Sequence, residues 1–171
     1  MSASDSQFVE SSTPEGQQRT LSRARRRGML VAAGLSMYVV SFFLLAVGNF
    51  EWLSGPVRGY SCAELALLSP FSEDGRSMLH ERPIEYFSLL GSGLINPVFL
   101  ATFFLQVFRA KSRAIVVLRS LTILMIPLCW VVFRYERLYP REGHFFWIFG
   151  MILTLFAMSN MRIKRPKEQH A

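Results

Sequence analysis

Four apolar runs, each near the thickness of a bilayer, constrain this chain more than any motif in it. Met29–Phe50, Ile84–Phe108, Ala114–Phe133 and Phe145–Met161 hold few charges, and the charges collect between them. A hydrocarbon core of about 30 Å needs roughly 20 consecutive apolar residues in a helix. Inside it, only helices and closed barrels satisfy their own backbone. Of the 171 residues, 51% are hydrophobic and only 18% charged, too few charges to clothe a water-facing globule of that apolarity. The expected fold is therefore all-α, an integral membrane four-helix bundle. Its spans are read at about 29–50, 84–108, 114–133 and 145–161.

The charges set an orientation. Residues 1–28 are rich in Ser, Gln and other polar groups, and read as a disordered tail. That tail ends in SRARRRG, where Arg25, Arg26 and Arg27 crowd the start of the first span. Lys and Arg resist translocation, so the N-terminus is expected in the cytoplasm. The RAKSR link, with Arg109, Lys111 and Arg113, falls on the same side, as does the basic tail 162–171. The loop 51–84 carries Glu51, Glu64, Glu73, Asp74 and Glu81 against three Arg and is expected outside. Arg134, Arg137 and Arg141 in the second outer loop run against the rule, but the inside holds about twice as many Lys and Arg. The plasma membrane of a bacterium, with both ends cytoplasmic, is the expected location. The formal net charge of +7 does not suggest nucleic acid, because the basic residues flank spans and no recognition motif accompanies them. The first run is longer than a signal-peptide core, so a retained helix is expected despite the small residues Ala46-Val47-Gly48.

Within the outer loop, SCAELALL predicts a short helix that lies on the membrane surface or plugs the mouth of the bundle. Ser61 and Glu64 have capping-box spacing, and Ser69-Pro70 should end the helix. SEDGR, residues 72–76, reads as an exposed turn.

Span two carries the least lipid-compatible pair in the chain, Asn96-Pro97 in GSGLINPVFL. On a 3.6-residue helix, Glu85, Ser88, Ser92, Asn96 and Gln106 fall within a quarter turn. Such a polar stripe must face other helices or a water-filled cavity. Pro97 removes a donor and presses on the carbonyl of Gly93, where a glycine lets neighbouring backbone approach. Asn96 can satisfy the freed carbonyl or reach a partner helix. Ser88, Ser92, Asn96 and Pro97 are thus the candidate face, for packing or for a site. Dry packing against Ala32 and Ser36 would mark a structural role, whereas a cavity beside Asn96 would mark a solute site.

Other chemistry is sparse. Arg119 lies near the cytoplasmic end of the third run, where snorkelling serves it. Glu85, at the outer end of span two, has Arg82 within reach along the helix. Cys62, His80 and His144 fall on the outer side without metal-site spacing. Cys62 and Cys129 are read as free thiols, a disulfide being the alternative. No catalytic triad, phosphate loop or zinc-protease motif occurs, so neither a catalytic residue nor a cofactor is assigned.

Three elements, SFFLLA closing span one, GYSC after it and NP within span two, resemble a group of small, uncharacterised four-span bacterial inner-membrane proteins. Ser41, Phe42, Phe43, Leu44, Ala46, Gly59, Tyr60, Cys62, Asn96 and Pro97 carry the match, with Leu45 where that pattern has Pro. The resemblance implies a bacterial membrane protein and supplies no substrate. The leading expectation for function is a non-enzymatic accessory subunit or partner of a membrane assembly, contacting lipid and a membrane protein or its own copy. A small carrier or channel using the Asn-Pro face is one alternative, and an outer-face redox or metal-binding protein is another.

Overall fold

The computed structural model describes residues 14–48, 56–108 and 113–159. Within them the chain is mostly helical: α1 (Pro14–Ser41), α2 (Gly59–Leu68), α3 (Glu73–Glu81), α4 (Pro83–Val107), α5 (Arg113–Tyr135) and α6 (Glu142–Ser159). Three short strands, β1 (Leu45–Gly48), β2 (Val57–Arg58) and β3 (Tyr139–Pro140), form one antiparallel sheet in the order β2-β1-β3. Helices α4, α5 and α6 are each long and apolar enough to cross a membrane. They fall where spans two, three and four are expected, within a few residues at each end.

The first expected span does not form one long apolar helix. Residues 14–28, read as tail, are helical and continuous with the apolar segment, as befits a stretch with five Arg and two Gln, both good helix formers. Helix α1 then stops at Ser41, well short of Phe50. From Gly28 to Ser41 it offers about 20 Å of apolar helix, less than a hydrocarbon core. At its end the Ser41 hydroxyl donates to Tyr38 O at 2.5 Å. Tight turns follow, with Phe42 N donating to Val39 O and Phe43 N to Val40 O. Leu45–Gly48 next takes the centre of the sheet, flanked by Val57–Arg58 and by Tyr139–Pro140. This sheet ties the end of α1 to both neighbouring connections, and Val47 within it is fully buried.

Two helix pairs make the bundle, α1 on α6 and α4 on α5. Without a hydrophobic drive inside lipid, close backbone approach is what holds such pairs. Gly34 and Gly150 provide it between α1 and α6: a methyl at Gly150 would meet Tyr38 N at 2.6 Å and Gly34 O at 2.7 Å. Between the pairs lies the core of Tyr38, Ile95, Phe99, Met125, Met151 and Leu155. Both proline-bearing helices run on past Pro97 and Pro127, and both prolines face outward.

The end of the bundle near residues 42–82, called here the loop end, is covered by α2, α3 and the sheet. Helix α2 begins at Gly59, two residues before the expected cap Ser61, and Arg58 at its N-cap makes no side-chain cap. It ends at Leu68, where Ser69-Pro70 was expected to stop it. Its backbone crosses α4 at Gly93, with Ala66 O against the glycine, so α2 plugs the bundle mouth. SEDGR is not a turn. Ser72 caps a second loop helix, α3, by accepting from Gly75 N at 3.1 Å, with Glu73 and Asp74 favourably placed in its first turn.

Candidate functional site

Asn96 stands where the two helix pairs meet. Its Oδ1 accepts the Trp147 indole N–H from α6 at 2.8 Å and the Tyr38 hydroxyl from α1 at 3.1 Å. Tyr38 is 5% exposed, its ring packed on Phe99 at a centroid distance of 4.8 Å. The partner residues expected on α1, Ala32 and Ser36, are both exposed instead. The helix phase of α1 is set by Gly34 and Tyr38 against α6, and it turns Ala32 and Ser36 away.

The rest of the candidate face divides. Ser88 is buried and Ser92 half-buried, its hydroxyl donating to Leu89 O at 2.8 Å. Gln106 reaches α6 by donating to Met158 O at 2.8 Å. Glu85 pairs with Arg82 at 3.3 Å, the partner the sequence offers it. Pro97 lies on the opposite, exposed side of α4.

Above Asn96, toward the loop end, the pairs separate around a cavity of about 440 Å3. Its floor is Ser92, Asn96 and Trp147; its walls include Phe42, Cys62, Cys129 and Phe133; α2 and α3 roof it through Ala63, Ala66 and Met78. The lining is mostly apolar. Asp74 and Glu136, both exposed at the rim, are its charged members, and no Lys or Arg among the described residues borders it. Below Asn96 the bundle is closed: Ile95, Phe99, Thr102 and Met151 have no exposed surface.

His144 lines the same cavity from the first turn of α6 and is 6% exposed. Its ring sits among aromatics, 4.5 Å from Phe133, 5.4 Å from Trp147 and 5.7 Å from Trp130 by centroids, and its Nε2 has no hydrogen-bond partner. The Cys62 and Cys129 thiols are free and both border the cavity. Burial pushes the Cys62 thiol up to about 11, which makes it a poor nucleophile near neutral pH. His80 lies on α3 and is not part of the cavity wall. Among the described residues no three His, Cys, Asp or Glu side chains stand close enough to share a metal ion.

The sequence pointed to Ser92 and Asn96 but not to their partners. Tyr38 carries a polar tip within the apolar stretch of α1, the one local sign that it has a buried acceptor to meet. Trp147 reads as an interfacial anchor, and nothing in its spacing shows its bond to Asn96. Asp74 and Glu136 come to the rim only through the fold. Of the topology determinants, Arg25, Arg26 and Arg27 lie on α1 and Arg113 opens α5, while Arg109 and Lys111 lie outside the described residues. Comparison with known proteins gave no match, neither to a family model, nor to a curated protein, nor to a solved structure.

Proposed function

We propose that this is a multi-pass membrane protein that binds a lipophilic small molecule in the loop-end cavity and does not pass it through the bundle. The observation that carries this reading is the 440 Å3 mostly apolar cavity beside Asn96, set above a packed layer of Ile95, Phe99, Thr102 and Met151 that has no exposed surface. Small-molecule sites are of this kind: concave, largely apolar, with a few placed polar groups. The basic clusters around Arg25–Arg27 and Arg109–Arg113 support a cytoplasmic N-terminus in a bacterial plasma membrane, with the short apolar stretch of α1 and the β1 segment after it together completing a four-span arrangement. The loop end then faces outward, and the SFFLLA, GYSC and NP elements agree with that architecture. The accessory-subunit role draws on no geometric feature of comparable weight.

The test is extraction of lipophilic compounds from the purified full chain, compared with an Ala63→Trp variant that fills the cavity from its α2 wall. A compound enriched with the wild type and lost in the variant supports the proposal. Equal recovery from both, with the variant folded by circular dichroism, would place any bound lipid on the outer surface and defeat it.

A further inference from the structure

Asn96 presents one kind of atom to the cavity, and its hydrogen bonds decide which. An indole N–H only donates, so the atom facing Trp147 must be the amide oxygen. The Tyr38 hydroxyl donates to that same oxygen. An amide oxygen has two acceptor positions, and both are now used. Turning the amide over would set its NH2 against the indole N–H and leave a buried donor unpaired. The orientation is therefore fixed, and Nδ2 points away from both partners.

No acceptor among the described residues takes a hydrogen bond from Nδ2. Unlike Gln106 Oε1 and His144 Nε2, it is not fully enclosed, and the space that Asn96 borders is the cavity. The neighbouring Ser92 hydroxyl already directs its proton to Leu89 O. The cavity floor thus offers amide N–H donors in apolar surroundings. At the rim the charged groups are Asp74 and Glu136, which repel an anion entering past them.

We infer that the cavity takes an uncharged, mainly apolar molecule carrying a hydrogen-bond acceptor, a carbonyl or ether oxygen, that seats on Asn96 Nδ2. This rests on the solute-binding reading above and names the ligand class of that same site. A hydrocarbon of equal size would leave the donor unpaired. One neutral hydrogen bond made or missed in such a site is worth about three- to tenfold in affinity.

The experiment uses the full chain in lipid nanodiscs and reads protection of Cys62, on the cavity wall, from a small maleimide, with the label located by mass spectrometry. The probes are methyl undecyl ketone, tridecane and tridecanoate. The ketone should half-protect at a concentration about three- to tenfold below that of the alkane, and the carboxylate should protect least. In Asn96→Asp, which keeps an acceptor for Tyr38 and Trp147 but replaces the NH2, the ketone's advantage should disappear. Protection by ketone and alkane at equal concentration in the wild type overturns this inference and leaves solute binding standing. A carboxylate that protects best overturns the uncharged class. No protection by any probe overturns the solute-binding reading itself. A ketone preference that survives in folded Asn96→Asp removes Asn96 from the site. The wild-type comparison needs no variant, so the inference stays refutable even if Asn96→Asp does not fold.

Discussion

Replacing Gly150 with Ala should force α1 away from α6. The added methyl would lie 2.6 Å from Tyr38 N, 2.7 Å from Gly34 O and 3.0 Å from Tyr38 Cα. Carbon contacts are most favourable at roughly 3.5–4.0 Å. All three neighbours are backbone, so no side chain can rotate aside, and the helices must separate by something approaching 1 Å. Overpacking of this kind costs about 1–3 kcal/mol. A gain of up to about 1 kcal/mol from replacing a helical glycine works the other way. The net expectation is a loss of about 1–2 kcal/mol, and more if the Tyr38–Asn96 hydrogen bond is lost as α1 retreats. Gly28→Ala supplies the control. It sits on α1, the facing helix, exposed, with nothing within 4 Å of the new methyl, and should be neutral or stabilised by up to about 1 kcal/mol. Reversible unfolding of the full chain in mixed micelles, followed by helical circular dichroism, measures both. If Gly150→Ala proves as stable as Gly28→Ala, α1 and α6 do not make this close contact and the bundle described here is wrong at its tightest point.

Three further outcomes are expected. Asn96→Leu should destabilise by about 1–2 kcal/mol, because two donors lose their acceptor; Tyr38→Phe combined with it should be less than additive in the same unfolding assay. Ser72→Ala should lower stability by about 1 kcal/mol and speed amide exchange at Gly75, whose N–H it leaves uncapped. Alkylation of Cys62 should quicken about tenfold per pH unit and keep rising toward about 11, because burial holds the thiol protonated and only the thiolate reacts. A rate that levels near the ordinary thiol range of about 8.5 would show Cys62 in open water instead.

Helices α4, α5 and α6 were legible because each apolar run is bounded by turn or charged residues that also bound the helix. Pro83 opens α4, Arg113 opens α5, and Glu142-Gly143 opens α6. The capping helix α3 was missed although its signal was present: Ser72 followed by Glu73 and Asp74 is an N-terminus as well as a turn. Only the residues after it, packed on α4, decide between the two. The sheet was out of reach for a different reason. Its central strand pairs with residues 57–58 nearby and 139–140 far along the chain, and its LAVG sequence has no alternation to set it apart from a helix end.

The site was hidden by the same misreading that made span one too long. Had Met29–Phe50 stayed helical to its end, about two more turns would stand beside α6 at the loop end. Instead α1 stops at Ser41, and Ser41, Phe42 and Ala46 line the cavity. The glycine contacts at Gly34 and Gly150 draw α1 and α6 together near the level of Asn96 and help close the floor, while Gly93 lets α2 lie close across α4 at the roof. Above that level the thin cover of β1, α2 and α3 replaces a full helix, so the polar stripe of α4 meets open space at Ser92 and Asn96 and dry packing at Ser88. The early stop of one helix is therefore the structural cause of the cavity, and extending α1 should abolish it. Replacing Val47 and Gly48 with Ala, which weakens the strand and favours helix, should shrink the cavity and slow Cys62 labelling by lipophilic maleimides relative to wild type. Unchanged labelling in a folded variant would mean that the cavity does not depend on where α1 ends.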